Sequence, residues 1–222
     1  MKQLPWEIIV AIDGDDGTEY IVNLYSKKFP FVRMKKSSQR SGMGGGIKRG
    51  MLASTGEYLI LMDGDGSTSL QNIIQSIELI TKYDIVNFNR YSLVENKIPL
   101  KRRFASRAFN LMLKSVYGIS VSDTQCGYKI MRRATAISII SKLTVTNAFF
   151  FSAFFIYAKK YRISVVEVPV QYEHSQGSKF NVVMTSMSYI ISIIAFKIRN
   201  SRIYYHTPNL LKEFYYKKLR FL

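Results

Sequence analysis

Glu57-Tyr58-Leu59-Ile60-Leu61-Met62-Asp63-Gly64-Asp65-Gly66-Ser67 is the stretch on which the reading of this chain turns. Its first six residues are mostly apolar and bounded by turn formers, the pattern of a buried strand. The strand runs straight into two carboxylates. Asp63 and Asp65 are two positions apart, so along an extended backbone they point to the same side. A strand that delivers polar groups at its C-terminal end places them where α/β proteins bind ligands. Gly64 leaves room for a ligand to approach the backbone. Two carboxylates on one side repel each other unless a cation lies between them. Mg²⁺ or Mn²⁺ held in this way can bridge a diphosphate and neutralise its charge. A plain surface Asp-Gly turn has the same local sequence, so the surroundings must decide.

Outward from this stretch, strands and helices alternate. Glu7–Ile12 is a short β-branched strand that ends in the acidic loop Asp13-Gly14-Asp15-Asp16-Gly17-Thr18. A helix over Glu19–Lys28, a strand over Phe31–Lys35, a flexible loop at Gly42 and Gly44–Gly46 and a helix over Ile47–Ser54 follow. After the Asp-Gly-Asp stretch, Ile73, Ile74, Ile77 and Ile80 predict a helix over Leu70–Lys82, and Asp84–Phe88 reads as a further strand. This alternation predicts an α/β fold with a mostly parallel sheet flanked by helices. Pro99–Tyr117 reads as a basic amphipathic helix and Ser122–Arg133 as a mixed loop and strand. Helices are expected over Thr135–Leu143 and Asn147–Lys160, a strand over Ser164–Pro169 and a loop over His174–Phe180. Val182–Ile198 is apolar but shorter than the roughly 20 residues a membrane span needs, and it holds Thr185, Ser186, Ser188 and Ser192. It reads as an interfacial or core-packed helix, with the Tyr, Lys and Arg side chains of the tail as anchors.

Composition narrows the partners. The 222 residues are 47% hydrophobic, so a packed domain is expected rather than disorder. A formal net charge of +17 calls for an anionic partner. No helix-turn-helix, zinc or RNA-binding signature accompanies that charge, which argues against nucleic acid and for an anionic membrane or a phosphorylated substrate. Cys126 is the single cysteine, so no internal disulfide forms; this fits a reducing compartment and, with the membrane reading, the cytoplasmic face of a membrane. The two histidines, His174 and His206, are isolated and make no zinc site.

Four ordered motifs carry a resemblance. Ser41-Gly42-Met43-Gly44-Gly45-Gly46-Ile47-Lys48-Arg49-Gly50, followed by Ala53-Ser54-Thr55-Gly56-Glu57-Tyr58 and the Asp-Gly-Asp site, resembles the family 2 glycosyltransferases of the GT-A (Rossmann-like) fold. Within them the chain looks like the dolichyl-phosphate and polyprenyl-phosphate sugar synthases. The acidic loop Asp13–Thr18 is similar to the one that ends their nucleotide-binding strand. Ser122-Asp123-Thr124-Gln125-Cys126-Gly127-Tyr128-Lys129 is similar to a segment of the dolichyl-phosphate glucosyltransferases, and Glu167-Val168-Pro169-Val170 with Gly177-Ser178-Lys179 to their closing segment. The resemblance implies a metal-dependent transfer of sugar from a nucleotide-sugar of the UDP-glucose or GDP-mannose type to a polyprenyl or dolichyl phosphate at a membrane surface. A glycosyltransferase for polysaccharide or glycolipid and a non-catalytic membrane-associated member are the alternatives.

The same resemblance implies roles. Asp13 would contact the nucleotide, Asp63 and Asp65 would hold Mg²⁺ or Mn²⁺ and the diphosphate, and Ser178 and Lys179 would close over the pyrophosphate. Asp123, with Asp65, would stand at the reacting centre, and Arg103, Arg107 and Lys129 would receive the acceptor phosphate. Residues 1–180 would form the catalytic domain and 181–222 a membrane-associating helical tail; oligomerisation is left open. Two departures stand out. Relatives commonly carry acids in the segment matching Phe149–Phe155, where this chain has none, and no Asp or Glu occurs between Thr124 and Val166. The family also opens with a strand and helix that have no match here, so two strands are expected to lack a shared neighbour.

Overall fold

The computed structural model describes residues 5–68, 70–173, 182–201 and 208–210. Six strands alternate with helices: β1 Ile8–Asp13, α1 Thr18–Lys28, β2 Val32–Ser37, α2 Met43–Ala53, β3 Tyr58–Leu61, α3 Leu70–Gln75, β4 Ile85–Asn89, α4 Leu100–Tyr117, β5 Lys129–Arg132, α5 Arg133–Ile140, α6 Phe150–Lys160, β6 Val165–Pro169 and α7 Val182–Arg199. The helix expected over Leu70–Lys82 is broken: α3 stops at Gln75 and a 3₁₀ turn takes over from Ile77 to Thr81. The hydroxyl of Ser76 donates to the carbonyl of Asn72 at this break (3.0 Å), the competition with the helical ladder that serine offers. Gly44–Gly46, expected in a loop, lie in the first turn of α2. Packing accounts for them: a Cβ on Gly44 would run into the Phe150 ring and one on Gly45 into Ser41.

Four strands form one sheet in the order β3-β5-β4-β6, in which β5 runs antiparallel to both neighbours and β4 and β6 are parallel. Alternation along the strands sends Leu59, Ile85 and Met131 to one face, into a core built around Phe149, Phe150, Phe154 and Phe155. Val86, Phe88, Tyr128 and Ile130 go to the other face, where Ile73 and Ile80 cover them. β4 is buried at all five positions, as a strand covered on both faces must be. α7 contributes Ile193 and Phe196 to the first core and stacks Tyr189 on Phe109 of α4 (centroids 4.5 Å apart). From Tyr189 to Phe196 the helix is therefore packed on the domain along one side, and no helix among the described residues is long and apolar enough to cross a membrane.

β1 and β2 pair parallel in a second, separate sheet. No ladder joins β1 or β2 to the four-stranded sheet, a division of the kind expected where two strands lack a shared neighbour. Side chains bridge the division instead of a ladder. The Glu7 carboxylate accepts from the Thr55 N–H (2.6 Å), the Thr55 hydroxyl (2.8 Å) and the Gly56 N–H (3.3 Å), tying the start of β1 to the turn before β3. At the other end of β1, Arg49 of α2 donates to the Ile12 carbonyl (3.2 Å).

A two-stranded sheet is marginal alone, and β1 is far less covered than β4. Native-state hydrogen exchange should therefore release the amides of β1 and β2 well before those of β4 and β5. Equal protection across both sheets would show that the unit has no weak joint.

Candidate functional site

The Asp63–Asp65 turn leaves the end of β3 beside β5. The register pairs Leu61 with Lys129, which brings Asp63 opposite Gly127. The two do more than face each other: a Cβ on Gly127 would lie on top of the Asp63 carboxylate. Glycine is the one residue that leaves this hollow open. Residue 63 as a whole remains open to solvent, but its carboxylate lies back into the hollow. Burial there, and then the charge of Asp65, push Asp63 above the ordinary carboxylate range, while Arg90 and Lys129 pull it back. Asp65 is fixed by its own turn, accepting from the Ser67 N–H (3.0 Å). Ser67 in turn holds the loop to Glu173 through its carbonyl (2.9 Å), and its hydroxyl lies 3.4 Å from the Tyr128 hydroxyl.

Asp13, at the end of β1, meets Ser41 and Arg49. The Ser41 N–H lies 2.8 Å from each oxygen of its carboxylate, and the Arg49 guanidinium stands 3.6 Å away. Desolvation opposes ionisation, but the N–H groups of Ser41 and Gly42 outweigh it and hold Asp13 below its ordinary value.

Asp123 is fully buried, and both of its oxygens are engaged. Arg90 donates to it through Nε (2.9 Å), Nη2 (2.9 Å) and its backbone N–H (3.1 Å). Burial works against the charge on Arg90, and the adjacent Asp123 carboxylate more than restores it. The loop carrying Asp123 is fastened from three sides. Glu167 of β6 accepts from the N–H groups of Ser122 (2.8 Å) and Asp123 (3.0 Å). Asn87 of β4 donates to the Asp123 carbonyl (3.0 Å) and to Glu167 (3.1 Å). Asn110 of α4 accepts from the Thr124 hydroxyl (2.8 Å). Asn87, Arg90, Asn110 and the clamp made by Glu167 were not singled out from sequence. The available signal was polarity out of place, since Asn87 sits inside a strand buried at every position.

Of the basic residues expected to receive a phosphate, Arg103 and Arg107 lie on one stripe of α4 with Asn110, at spacings of four and three, so they lead along the helix toward the Asp123 loop. Arg107 is exposed, and Arg103 is half-buried with its Nε unpartnered among the described residues. Lys129 is buried beneath the sheet surface. Its ammonium donates to the Cys126 carbonyl and lies over the rings of Phe151 (4.1 Å) and Phe155 (5.2 Å). Burial draws it down to about 8, against the pull of the neighbouring Asp123 carboxylate. Ser178, Lys179 and His174 lie outside the described residues.

The donor set suits a divalent cation. Among the described residues no hydrogen bond or ion pair ends on Asp63, and no third His, Cys, Asp or Glu joins the pair to close a cage. Two carboxylates in an open turn leave positions for phosphate oxygens and water, as Mg²⁺ and Mn²⁺ sites on nucleotides do.

Residues 1–139 match the model of glycosyl transferase family 2. The chain is 30% identical over 206 residues to the dolichyl-phosphate beta-glucosyltransferase of Dictyostelium discoideum, covering 87% of this chain and 63% of that protein. It is 27% identical to the enzyme of the same description from Saccharomyces cerevisiae, covering 82% and 61%. The chain thus spans about three fifths of the length of these curated relatives. Among solved structures it superposes on mannosyl-3-phosphoglycerate synthase from Rubrobacter xylanophilus (TM-score 0.60, 16% identity, 88% of this chain and 64% of that one). It also superposes on glucosyl-3-phosphoglycerate synthase from Mycobacterium tuberculosis in complex with Mn²⁺, uridine-diphosphate and phosphoglyceric acid (TM-score 0.58, 13% identity, 84% and 66%). At such identity the likeness establishes the fold, a mixed α/β GT-A arrangement.

Gly127→Ala is expected to turn the Asp63 carboxylate out of its seat and bring its titration down toward the ordinary carboxylate range, with little change in the melt, because what moves is the free end of a side chain whose burial disfavours its charge. Gly64→Ala, with open space around its position, should leave the Asp63 titration unchanged. NMR titration of the carboxylate in the two variants checks this, and equal behaviour would contradict the seat assigned to Asp63.

Proposed function

The chain belongs to glycosyl transferase family 2, and we propose that it transfers glucose from UDP-glucose to a polyprenyl phosphate of the dolichyl type, with inversion at the sugar carbon. The donor's diphosphate lies against the Asp63–Asp65 turn and its nucleoside reaches toward Asp13. Asp63 and Asp65 would hold Mg²⁺ or Mn²⁺, which would supply charge neutralisation for the departing diphosphate. By the resemblance, Ser178 and Lys179 would also meet that diphosphate. An acceptor phosphate oxygen forms the new bond to C1 as the bond from C1 to the UDP oxygen breaks.

The observation that carries the acceptor assignment is the engagement of Asp123, the acid that the motifs would otherwise offer as a base. Asp123 has both oxygens on Arg90, and α6 has no acid at all. A hydroxyl acceptor must lose a proton during attack. A phosphate oxygen is already anionic near neutral pH and needs only positioning and charge neutralisation. Arg103 and Arg107 supply that positioning, and Asp123 contributes at the reacting centre by fixing Arg90 and the loop before Gly127. The names of the curated relatives support the same acceptor class.

The outward face of α4 bears Leu100, Phe104 and Leu111 among Lys101, Arg107 and Lys114, and that of α7 bears Ile190, Ile194 and Ile198 beside Lys197, all exposed. Apolar residues rimmed by cations suit an anionic membrane surface, where a polyprenyl acceptor resides. In this reading residues 1–180 form the catalytic domain, and 181–222 complete the membrane-associating side at the cytoplasmic face. The division between the two sheets favours a second reading, a non-catalytic membrane-associated member.

Labelled UDP-glucose offered with Mn²⁺, dolichyl phosphate and anionic vesicles decides between them. The expected result is a lipid-linked glucose whose formation falls at least about 10²-fold in Asp65→Ala, the scale of losing a principal charge-stabilising group. Turnover retained in Asp65→Ala would refute the site, transfer to a glycan hydroxyl alone would refute the acceptor, and no turnover at all, persisting in a chain extended upstream, would favour the non-catalytic reading.

A further inference from the structure

The sheet carries a row of side chains that the proposed reaction does not use as a set. Leu61 of β3, Lys129 of β5, Asn87 of β4 and Glu167 of β6 are paired in register, so all four lie on one face. Asp63 and Gly127 occupy the next row of the same face, which makes Lys129 the diagonal neighbour of the Asp63 seat. Lys129 is 1% exposed. A buried ammonium is ordinarily matched by a carboxylate, yet among the described residues none forms an ion pair with it. The two nearby acids are otherwise placed: Asp123 is taken by Arg90, and Glu167 by the Ser122–Asp123 backbone. The α6 residues beneath Lys129 offer aromatic rings, Phe151 at 4.1 Å and Phe155 at 5.2 Å, which stabilise a cation without cancelling its charge. That charge remains within electrostatic reach of Asp63.

We propose that Lys129 is a resident counter-charge for the Asp63–Asp65 pair, kept unneutralised by Phe151 and Phe155, so that the site holds a bare divalent cation loosely and an anionic diphosphate tightly. Phe151 is then a positioning residue. It fixes the sign of the potential beneath the site by being a ring where a carboxylate would abolish it. The consequence is ordered occupancy: the cation is retained mainly when it arrives with, or after, the nucleotide. The inference rests on the reading of Asp63 and Asp65 as the cation and diphosphate site.

Two affinities test it in the intact chain: Mn²⁺ alone, by the electron paramagnetic resonance signal of the free ion, and UDP at saturating Mn²⁺, by calorimetry. Lys129→Met, which removes a buried charge with little change of shape, should tighten Mn²⁺ and weaken UDP, each by about tenfold for a unit charge one strand away. Phe151→Glu should move both affinities in the same directions, because its carboxylate cancels Lys129. Phe151→Leu, which brings no charge, should shift neither by more than about twofold, since only part of the cation–π contact is lost. A purely structural role predicts that Lys129→Met weakens both ligands together; that result, or equal effects of Phe151→Leu and Phe151→Glu, overturns the proposal. Asp63→Ala separates the two levels of inference. If wild-type Mn²⁺ binding survives Asp63→Ala, the site reading fails, whereas if it is lost and Lys129→Met shifts nothing, only the counter-charge fails.

Discussion

The contact between the Asp63 carboxylate and Gly127 is the constraint on which the site depends. It requires β3 and β5 to pair antiparallel in one register, because a shift of a single residue would turn Asp63 to the opposite face of the sheet. It requires glycine at 127, because any other side chain would occupy the carboxylate's place. It also requires the loop before Gly127 to stay put. That is the work of Asn87, Asn110, Glu167 and the Arg90–Asp123 pair, each of which binds the Ser122–Thr124 segment from a different element. Linked to one another and to the loop, these groups form the kind of polar network that specifies one geometry, with the buried Oδ1 of Asn87 left without a partner among the described residues.

The division of labour between the sheets follows. The four-stranded sheet, with apolar cores on both faces, gives the Asp63–Asp65 turn a rigid mount. The two-stranded sheet brings Asp13 and the Ser41–Gly42 backbone, but it is joined to the mount through Glu7 and Arg49 rather than through a ladder. In the proposed reading, the cation and diphosphate end of the site would therefore be built on the firmer half of the molecule, and the nucleoside end on the softer half.

Much of this was legible in the residues. The strands β1, β2, β3, β4 and β6 were found within a residue or two of their expected ends, because short apolar, β-branched runs bounded by turn formers leave little choice, whereas β5 was expected only somewhere within Ser122–Arg133. The Asp-Gly-Asp turn marked the end of β3, and its surroundings distinguished it from a plain surface turn. What sequence did not reveal was set by distant partners. Gly44 and Gly45 read as a loop and proved to be helix, because Phe150 and Ser41 need the space. The break after Gln75 depends on a serine hydroxyl competing with a helical bond. Asp123 read as a group at the reacting centre, and the partner that engages both its oxygens, Arg90, lies 33 residues away, at a separation no local pattern encodes. Lys129 read as a ligand of the acceptor phosphate; its placement over Phe151 follows from the alternation along β5 and a partner 22 residues away.

The central claim is that a divalent cation and the diphosphate it accompanies seat at the Asp63–Asp65 turn against Gly127. Paramagnetic broadening of backbone amide resonances by substoichiometric Mn²⁺ with UDP tests it most directly. The account predicts that the amides of residues 63–66 and 127 broaden first, those of Ser41 and Gly42 later, and that Asp63→Ala removes the effect. Broadening centred on any other surface, or persisting unchanged in Asp63→Ala, would contradict it.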